Sequence, residues 1–101
     1  MAHVLVLYNT PADPAAFDRY YKETHIPLAN NIPGLRSYSV SSGPVQALAG
    51  TAPYLVVILG FDSMADLRTA LASPEGQAAA ADLKNFATGG ATLLAYDTKP
   101  A

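Results

Sequence analysis

The spacing of the hydrophobic residues changes along this chain and predicts a series of strands and helices. The run His3–Tyr8 is branched and aromatic, long enough for one strand, and hydrophobic on both faces apart from its first residue. Over Ala15–Asn30 the hydrophobic period is helical, with Asp13 as the N-cap and Pro14 at the first helical position. We expect this helix to bend or restart at Pro27, because proline lacks an N–H donor and its ring clashes with the preceding turn.

One side of the predicted helix is largely aromatic and the other is charged. Oppositely charged residues lie four positions apart on the polar side, Asp18 with Lys22 and Arg19 with Glu23. The side expected to face the core contains Phe17, Tyr20, Tyr21, Thr24 and Leu28.

The rest of the chain continues with two strands, a helical region and a last strand. Alternating residues over Leu35–Ser41 predict the second strand, and a loop follows over Ser42–Pro53. The stretch Tyr54–Phe61 is hydrophobic on both faces, as a central buried strand is. The remaining elements are a helix beginning at Ser63 with Met64, Leu67 and Leu71 facing the core, a second helical segment beginning at Ser73 with Leu83 and Phe86 facing inward, and a last strand over Thr92–Asp97.

The resulting order, βαββαβ, predicts an α+β fold of the ferredoxin-like type, with a four-stranded antiparallel sheet. Its helices pack on one face of the sheet only. The first and third strands are nevertheless hydrophobic on both faces, so the other face should not remain in water. We therefore predict a homodimer in which a second copy covers that face and closes a dimeric α+β barrel around a ligand-sized cavity.

Composition and charge narrow the range of functions. The 101 residues suffice for a single domain spanning residues 1–101, and 50% hydrophobic against 14% charged residues is typical of a folded chain. The net charge of −2 and the scattered Lys and Arg residues argue against binding to nucleic acid. The sequence has no visible signal peptide, and its longest hydrophobic run is far shorter than a membrane span, so we expect no membrane association and a cytoplasmic location.

The chain offers few groups that could bind a metal or a cofactor. It has no cysteine, and no carboxylate lies at ligand spacing from its two histidines, His3 and His25. No glycine-rich loop follows a strand and begins a helix, so the fingerprints of phosphate and dinucleotide binding are absent. We predict no metal and no cofactor, although a metal site assembled by folding from both histidines and a carboxylate stays open. Every Asp and Glu can be assigned to a helix cap or a solvated surface.

His25 is the strongest candidate for chemistry. Tyr21 lies one helical turn before it, so the two side chains can meet. Imidazole exchanges protons near neutral pH, and a phenol can donate a hydrogen bond to an oxygen that gains charge. We take His25, Tyr21 and Tyr38 as candidate catalytic residues. The alternatives are that His25 is a half-exposed residue at a helix end and that the tyrosines only pack in the core.

The second strand supplies candidate ligand contacts. Arg36 and Tyr38 fall on one face of this strand and could bind an anionic or phenolic ligand, or make polar contacts in a dimer interface. Tyr8, at the end of the first strand, is the other ligand-binding candidate together with Arg36. The hydrophobic surroundings favour a small hydrophobic ligand over a sugar phosphate.

Two stretches of the sequence resemble the EthD family, small bacterial proteins of the dimeric α+β-barrel superfamily named after ethyl tert-butyl ether degradation. They are F-x-x-Y-Y-x-x-T-H-I-P-L from Phe17 to Leu28 and I-P-G-L-x-x-Y from Ile32 to Tyr38. The order of elements and the S-P-E-G motif at Ser73 also agree, so the resemblance covers essentially the whole chain. It implies the barrel fold, and it matches His25 to the histidine of the family.

The resemblance implies a fold more directly than a reaction. Relatives are associated with lactone isomerisation, dehydration and degradation of small apolar compounds, but this chain lacks the further histidine and the cysteine of the isomerase relatives. We predict a catabolic, cofactor-free enzyme of the isomerase, lyase or dehydratase type, acting on a small hydrophobic or aromatic compound. His25 would move a proton, and Tyr21 or Tyr38 would bind the charged oxygen. The alternatives are a cofactor-free monooxygenase and a non-enzymatic ligand-binding accessory protein.

Overall fold

The structure is a computed structural model that describes residues 1–101 and contains one four-stranded antiparallel sheet. The strands are β1 (Ala2–Tyr8), β2 (Ser37–Val40), β3 (Leu55–Phe61) and β4 (Ala91–Asp97), in the order β2-β3-β1-β4. The predicted strand bounds differ from these by one or two residues. Helices pack on one face of the sheet, which confirms the predicted ferredoxin-like α+β fold. No helix is long and hydrophobic enough to cross a membrane.

The first helical region consists of α1 (Pro14–Tyr20), a π-helical turn (Tyr21–His25) and α2 (Ile26–Asn30). Asp13 caps α1 as predicted, since its side chain accepts a hydrogen bond from the backbone of Ala16 at 3.1 Å. The interruption predicted at Pro27 takes the form of the π-helical turn immediately before α2. The turn leaves the proline in the first turn of α2, where no N–H is required.

The π-helical turn decides which side chains reach the core. The buried residues of this region are spaced four apart: Phe17, Tyr21, His25 and Ala29. In a regular α-helix such a series drifts by about 40° every four residues, and the wider π turn compensates for the drift. As a consequence Thr24 is exposed and His25 is buried in its place. The prediction that Thr24 faces the core is therefore wrong.

The second helical region consists of α3 (Met64–Ala72), α4 (Pro74–Asp82) and a 3₁₀ turn (Leu83–Asn85). Ser63 and Ser73 cap the two helices, each accepting a hydrogen bond from the backbone N–H three residues later. The side facing the sheet is built of Leu67, Ala70, Gly76, Ala79, Asp82 and Phe86. Leu71, predicted to face the core, is 40% exposed because Ala70 occupies the inward position.

The two faces of the sheet differ in what covers them. Along β1, alternate residues point toward the helices and are buried: Ala2, Val4, Val6 and Tyr8. The opposite face, which we call the bare face, has no helix over it and consists mainly of His3, Leu5, Leu7, Val56, Ile58, Leu94 and Tyr96. Strand register places Leu5 beside both Ile58 and Leu94, so the hydrophobic side chains of the bare face are contiguous. We call the other side the covered face.

Candidate active site

A cavity of about 60 Å³ lies on the covered face, between the sheet and the helices. Fourteen of its sixteen lining residues are hydrophobic, and none is Asp, Glu, Lys or Arg. Leu71 and Leu93, which are 40% and 47% exposed, form its outer rim. The polar groups in its wall are the His25 ring and the hydroxyls of three of the fourteen, Tyr8, Tyr21 and Tyr38. The structure thus brings four of the five predicted site residues to one cavity.

His25 is held in this wall by the π-helical turn. The side chain is buried, and its ring packs on Phe86 and Tyr21 with centroids 4.7 and 5.3 Å away. Its Nδ1 lies 2.9 Å from Oδ2 of Asp82, whereas Nε2 has no hydrogen-bond partner within the protein. The alternative that His25 is a half-exposed residue at a helix end is therefore wrong.

Asp82, the last residue of α4, is a buried carboxylate with three hydrogen-bond donors. Oδ1 accepts from the Tyr20 hydroxyl at 2.6 Å and from Nδ2 of Asn85 at 2.9 Å, while Oδ2 faces His25. Burial alone would raise the pKa of Asp82, but the hydrogen bonds from Tyr20, Asn85 and His25 together hold it below its usual value. The carboxylate is therefore ionised at neutral pH. Since a carboxylate can only accept, Nδ1 of His25 carries a proton, and in the neutral ring Nε2 has the free lone pair.

Asp82 was not predicted from the sequence as a site residue. The expectation that every acidic residue lies in a cap or on a solvated surface is wrong for this one. The signal was present in the helical spacing, because Ala79, Asp82 and Phe86 follow the i, i+3, i+7 pattern of one helix face. Phe86 was correctly predicted to face inward, so a carboxylate one turn before it on the same face was a candidate for the site.

Three phenols line the cavity and two of them are paired. The hydroxyls of Tyr21 and Tyr38 lie 2.6 Å apart, and the Tyr8 hydroxyl has no hydrogen-bond partner within the protein. Burial is the largest cause that raises the pKa of Tyr8, Tyr21 and Tyr38, so all three remain neutral donors. Within the Tyr21–Tyr38 pair, one hydroxyl donates its proton in a hydrogen bond to the oxygen of the other. The second proton of the pair and the proton of Tyr8 are free to bind a ligand.

Arg36 does not reach the cavity. It precedes β2, and its guanidinium contacts the Asp62 carboxylate with Nε and Nη2 at 3.0 and 2.9 Å. The two side chains are 61% and 54% exposed. The backbone N–H of Arg36 bonds to the carbonyl oxygen of Gly60, which brings the side chain beside Asp62 at the end of β3. The sequence alternation predicted that Arg36 and Tyr38 share a face of β2. Arg36 lies before the first residue of β2, where the alternation no longer applies.

The structure contains no group of three or more His, Cys, Asp or Glu side chains that could hold a metal ion. A carboxylate that orients a histidine at Nδ1 and leaves Nε2 free is the arrangement that hydrolases use for general acid–base catalysis.

Fold and cavity together define a ferredoxin-like α+β protein with a buried histidine–carboxylate pair beside a hydrophobic cavity. The model of the EthD domain matches residues 9–90, and the chain belongs to the EthD family. A relative from Rhodococcus erythropolis, described as an uncharacterised 11.0 kDa protein in the thcB–thcC intergenic region, is 46% identical over 99 residues, or 96% of this chain and 94% of the relative.

The solved structures that resemble this one agree with the family. An ethyl tert-butyl ether degradation (EthD) family protein from Bacillus halodurans C-125 is 32% identical, with a TM-score of 0.88 over 98% of this chain and 99% of that chain. A dimeric ferredoxin-like protein of unknown function from Thermobifida fusca is 16% identical, with a TM-score of 0.70 over 96% and 90% of the two chains. SnoaB, a cofactor-independent oxygenase from Streptomyces nogalater, is 15% identical, with a TM-score of 0.68 over 99% and 94%. The last two share the fold.

Proposed function

We propose that this EthD protein is a cofactor-free enzyme that uses His25 to move a proton on a small, neutral, hydrophobic compound carrying an oxygen function. The observation that carries the proposal is the buried His25–Asp82 pair, whose Nε2 is unpaired in a cavity wall with no charged side chain. The family takes its name from ethyl tert-butyl ether degradation. A catabolic role on compounds of low polarity fits such a cavity.

The proposed reaction begins with Nε2 of His25 removing a proton from a carbon next to a carbonyl group. Electron density moves to the carbonyl oxygen, which then accepts hydrogen bonds from Tyr8 and from the free proton of the Tyr21–Tyr38 pair. The imidazolium formed at His25 is stabilised by Asp82. Return of the same proton to another carbon is an isomerisation, and its delivery to a departing hydroxyl group is a dehydration.

The cavity limits the substrate in charge and in size. With no Arg or Lys in its wall, nothing would compensate a phosphate or a carboxylate. Its volume of about 60 Å³ is smaller than the cavity of about 150 Å³ that holds benzene in another protein. A ring-shaped substrate therefore requires movement at the rim, where the half-exposed side chains of Leu71 and Leu93 have room to turn outward.

A second candidate shares the first step. If the deprotonated substrate passes an electron to O₂, and the radical and superoxide so formed combine at the carbon that lost the proton, a peroxide results. It takes the proton back from His25, and the outcome is a cofactor-free oxygenation. The fold that the chain shares with SnoaB, a cofactor-independent oxygenase, favours keeping this candidate. Consumption of O₂ distinguishes the oxygenation from isomerisation and dehydration. All three reactions require His25.

We also propose that the protein acts as a homodimer. The bare face is a contiguous hydrophobic surface, with Leu94 and Tyr96 still 48% and 37% exposed. Surfaces of this kind in soluble proteins are usually contact sites. The Thermobifida fusca protein of the same fold is described as dimeric, and a second copy of this chain offers a surface of the same composition.

The proposed function is tested by first finding a ligand and then replacing His25. A thermal-shift screen with 3-cyclopentenone, which can isomerise, and 3-hydroxycyclopentanone, which can lose water, selects a bound compound, whose conversion is followed by NMR with an oxygen electrode in parallel. We expect His25→Gln to bind the compound and to reduce turnover by roughly 10²–10⁴-fold. His3→Gln, which changes the other histidine, serves as the control and should retain turnover. Full turnover by His25→Gln, or binding without any turnover by the unaltered protein, contradicts the proposal.

A further inference from the structure

The Asp82 carboxylate has two hydrogen-bond donors that take no direct part in the proposed reaction. Tyr20 is the last residue of α1, immediately before the π-helical turn, and Asn85 ends the 3₁₀ turn after α4. Both donate to Oδ1, at 2.6 and 2.9 Å, and His25 faces Oδ2. The two oxygens of one carboxylate thus have different partners.

We propose that Tyr20 and Asn85 are positioning residues, which fix Oδ1 of Asp82 so that Oδ2 holds Nδ1 of His25 and the Nε2 lone pair stays available to the cavity. This inference rests on the proposed function for its catalytic meaning. Its structural part, the control of the protonated nitrogen of His25, is independent of any substrate.

The physical basis is that a carboxylate with a single partner can rotate about its last side-chain bond. Two donors on one oxygen, one from the first helical region and one from the second, restrict that rotation. Hydrogen bonds to an ionised carboxylate are shorter and stronger than neutral ones, and the short Tyr20 contact is of this type. Without them Asp82 can turn away from Nδ1, and the imidazole loses the partner that selects its tautomer.

The packing around Tyr20 makes a conservative test feasible. Its ring stacks on Phe86 with centroids 5.3 Å apart, and Phe86 also contacts the His25 ring. The substitution Tyr20→Phe removes the hydroxyl and retains this ring. An effect on His25 is then attributable to the hydrogen bond to Asp82 and not to a cavity.

The chain contains a matched control for this substitution. The Tyr54 hydroxyl donates to Oδ1 of Asp18 at 2.8 Å, and the Tyr54 ring packs on Phe17 with centroids 5.3 Å apart. This is again a tyrosine bonded to a carboxylate, here one in α1, but neither residue contacts His25 or lines its cavity. The substitution Tyr54→Phe removes the same chemical group at a place where the proposal expects no effect on His25.

The experiment is long-range ¹H–¹⁵N NMR of histidine-labelled full-length protein at about pH 8.5, with no ligand added. We expect His25 of the unaltered protein and of Tyr54→Phe to be protonated at Nδ1 alone. Tyr20→Phe and Asn85→Ala should contain a mixture of the two tautomers, with the larger fraction of Nε2–H when both changes are combined. The same single tautomer in all variants, or Nε2–H in the unaltered protein, overturns the inference.

An activity measurement separates this inference from the proposed function. With a converted compound in hand, Tyr20→Phe should lower kcat by roughly 10-fold and leave KM unchanged, the lower end of the losses seen when hydrogen-bond partners behind metal-bound histidines are altered. Tyr54→Phe should change neither. A tautomer mixture in Tyr20→Phe together with no turnover by the unaltered protein supports the positioning role and contradicts the proposed function. An unchanged kcat in Tyr20→Phe, in a protein that turns the compound over, contradicts the positioning role.

Discussion

The covered face and the bare face of the sheet are made from the same strands. A single chain buries the side chains of the covered face more completely than those of the bare face. On the covered face, Val4, Val6 and Val57 are buried beneath the helices, and the buried Asp82 has a partner for each oxygen. On the bare face, Nδ1 of His3 is shut off from solvent and has no hydrogen-bond partner, whereas the unpaired polar groups of the covered face belong to residues that line the cavity. One chain thus completes the face that holds the cavity and leaves the other face incomplete.

This difference bears on why β1 and β3 carry hydrophobic residues on both faces of the sheet. A strand that packs one face on helices needs hydrophobic residues only at every second position. The intervening residues, Leu5 and Leu7 among them, have no function in the packing of a single chain. We therefore propose catalysis for the covered face and association for the bare face, and adjacent residues of one strand can test both proposals.

The largest effect is expected from a charge on the covered face. Val57 in β3 is 2% exposed, and Val57→Lys would bury an unpaired ammonium group in the core. We expect a loss of more than about 4 kcal/mol of unfolding free energy, enough to prevent folding. Circular dichroism and guanidinium unfolding measure this effect. A folded variant with an unchanged denaturation midpoint would show that Val57 does not lie in the core.

The matching charge on the bare face should separate subunits and preserve the fold. Val56 is the neighbour of Val57 and points to the opposite side of the sheet. We expect Val56→Lys to sediment as a folded 10.5 kDa monomer and the unaltered protein to sediment at twice that mass. A dimeric Val56→Lys protein, or an unaltered protein that is monomeric at micromolar concentration, contradicts the role given to the bare face.

The buried phenols make the covered face sensitive to alkali. Below about pH 10 a tyrosine is neutral in both the folded and the unfolded chain, so pH has no effect through this group. Above that pH the unfolded chain ionises, while the raised pKa of Tyr21 keeps the folded chain neutral, and unfolding becomes more favourable. Each such phenol lowers the stability by about 1.4 kcal/mol per pH unit.

Denaturant unfolding between about pH 9 and pH 11 measures this contribution. We expect the stability of the unaltered protein to fall steeply with pH, and that of Tyr21→Phe to fall less steeply because one of the buried phenols has been removed. Parallel curves for the two proteins would mean that Tyr21 ionises as freely in the folded chain as in the unfolded one.

The smallest effect is expected at Arg36, outside both faces. Its ion pair with Asp62 is exposed, and exposed pairs contribute about 0–1 kcal/mol. Arg36→Ala should therefore change the melting temperature by a few degrees at most and leave ligand binding intact. If Arg36→Ala no longer bound the compound selected by the thermal-shift screen, Arg36 would have to contribute to the binding site.

Local signals in the sequence were enough to predict the order of elements. The N-caps at Asp13, Ser63 and Ser73 depend on residues three positions away, and the strands depend on alternation within a few residues. The position of His25 one turn after Tyr21 was likewise a local inference, and the rings of the two residues do lie together.

The contacts that complete the site are distant in sequence and could not be predicted in this way. Asp82 is separated from His25 by 57 residues and from Tyr20 by 62. Their contact depends on how α4 packs across the π-helical turn, which the local signal at Pro27 does not determine. The exposed position of Arg36 has a similar cause, because its partner Asp62 lies 26 residues away at the end of another strand.

The central claim is that His25 removes a proton from a bound carbon acid in the cavity of the covered face. Exchange of the α-hydrogens of cyclopentanone with D₂O, followed by ¹H NMR at neutral pH, tests this step without knowledge of the natural substrate. We predict that the protein accelerates the exchange and that His25→Gln loses the acceleration by roughly 10²-fold or more, while His3→Gln retains it. Equal exchange rates with the unaltered protein and with His25→Gln would contradict the account.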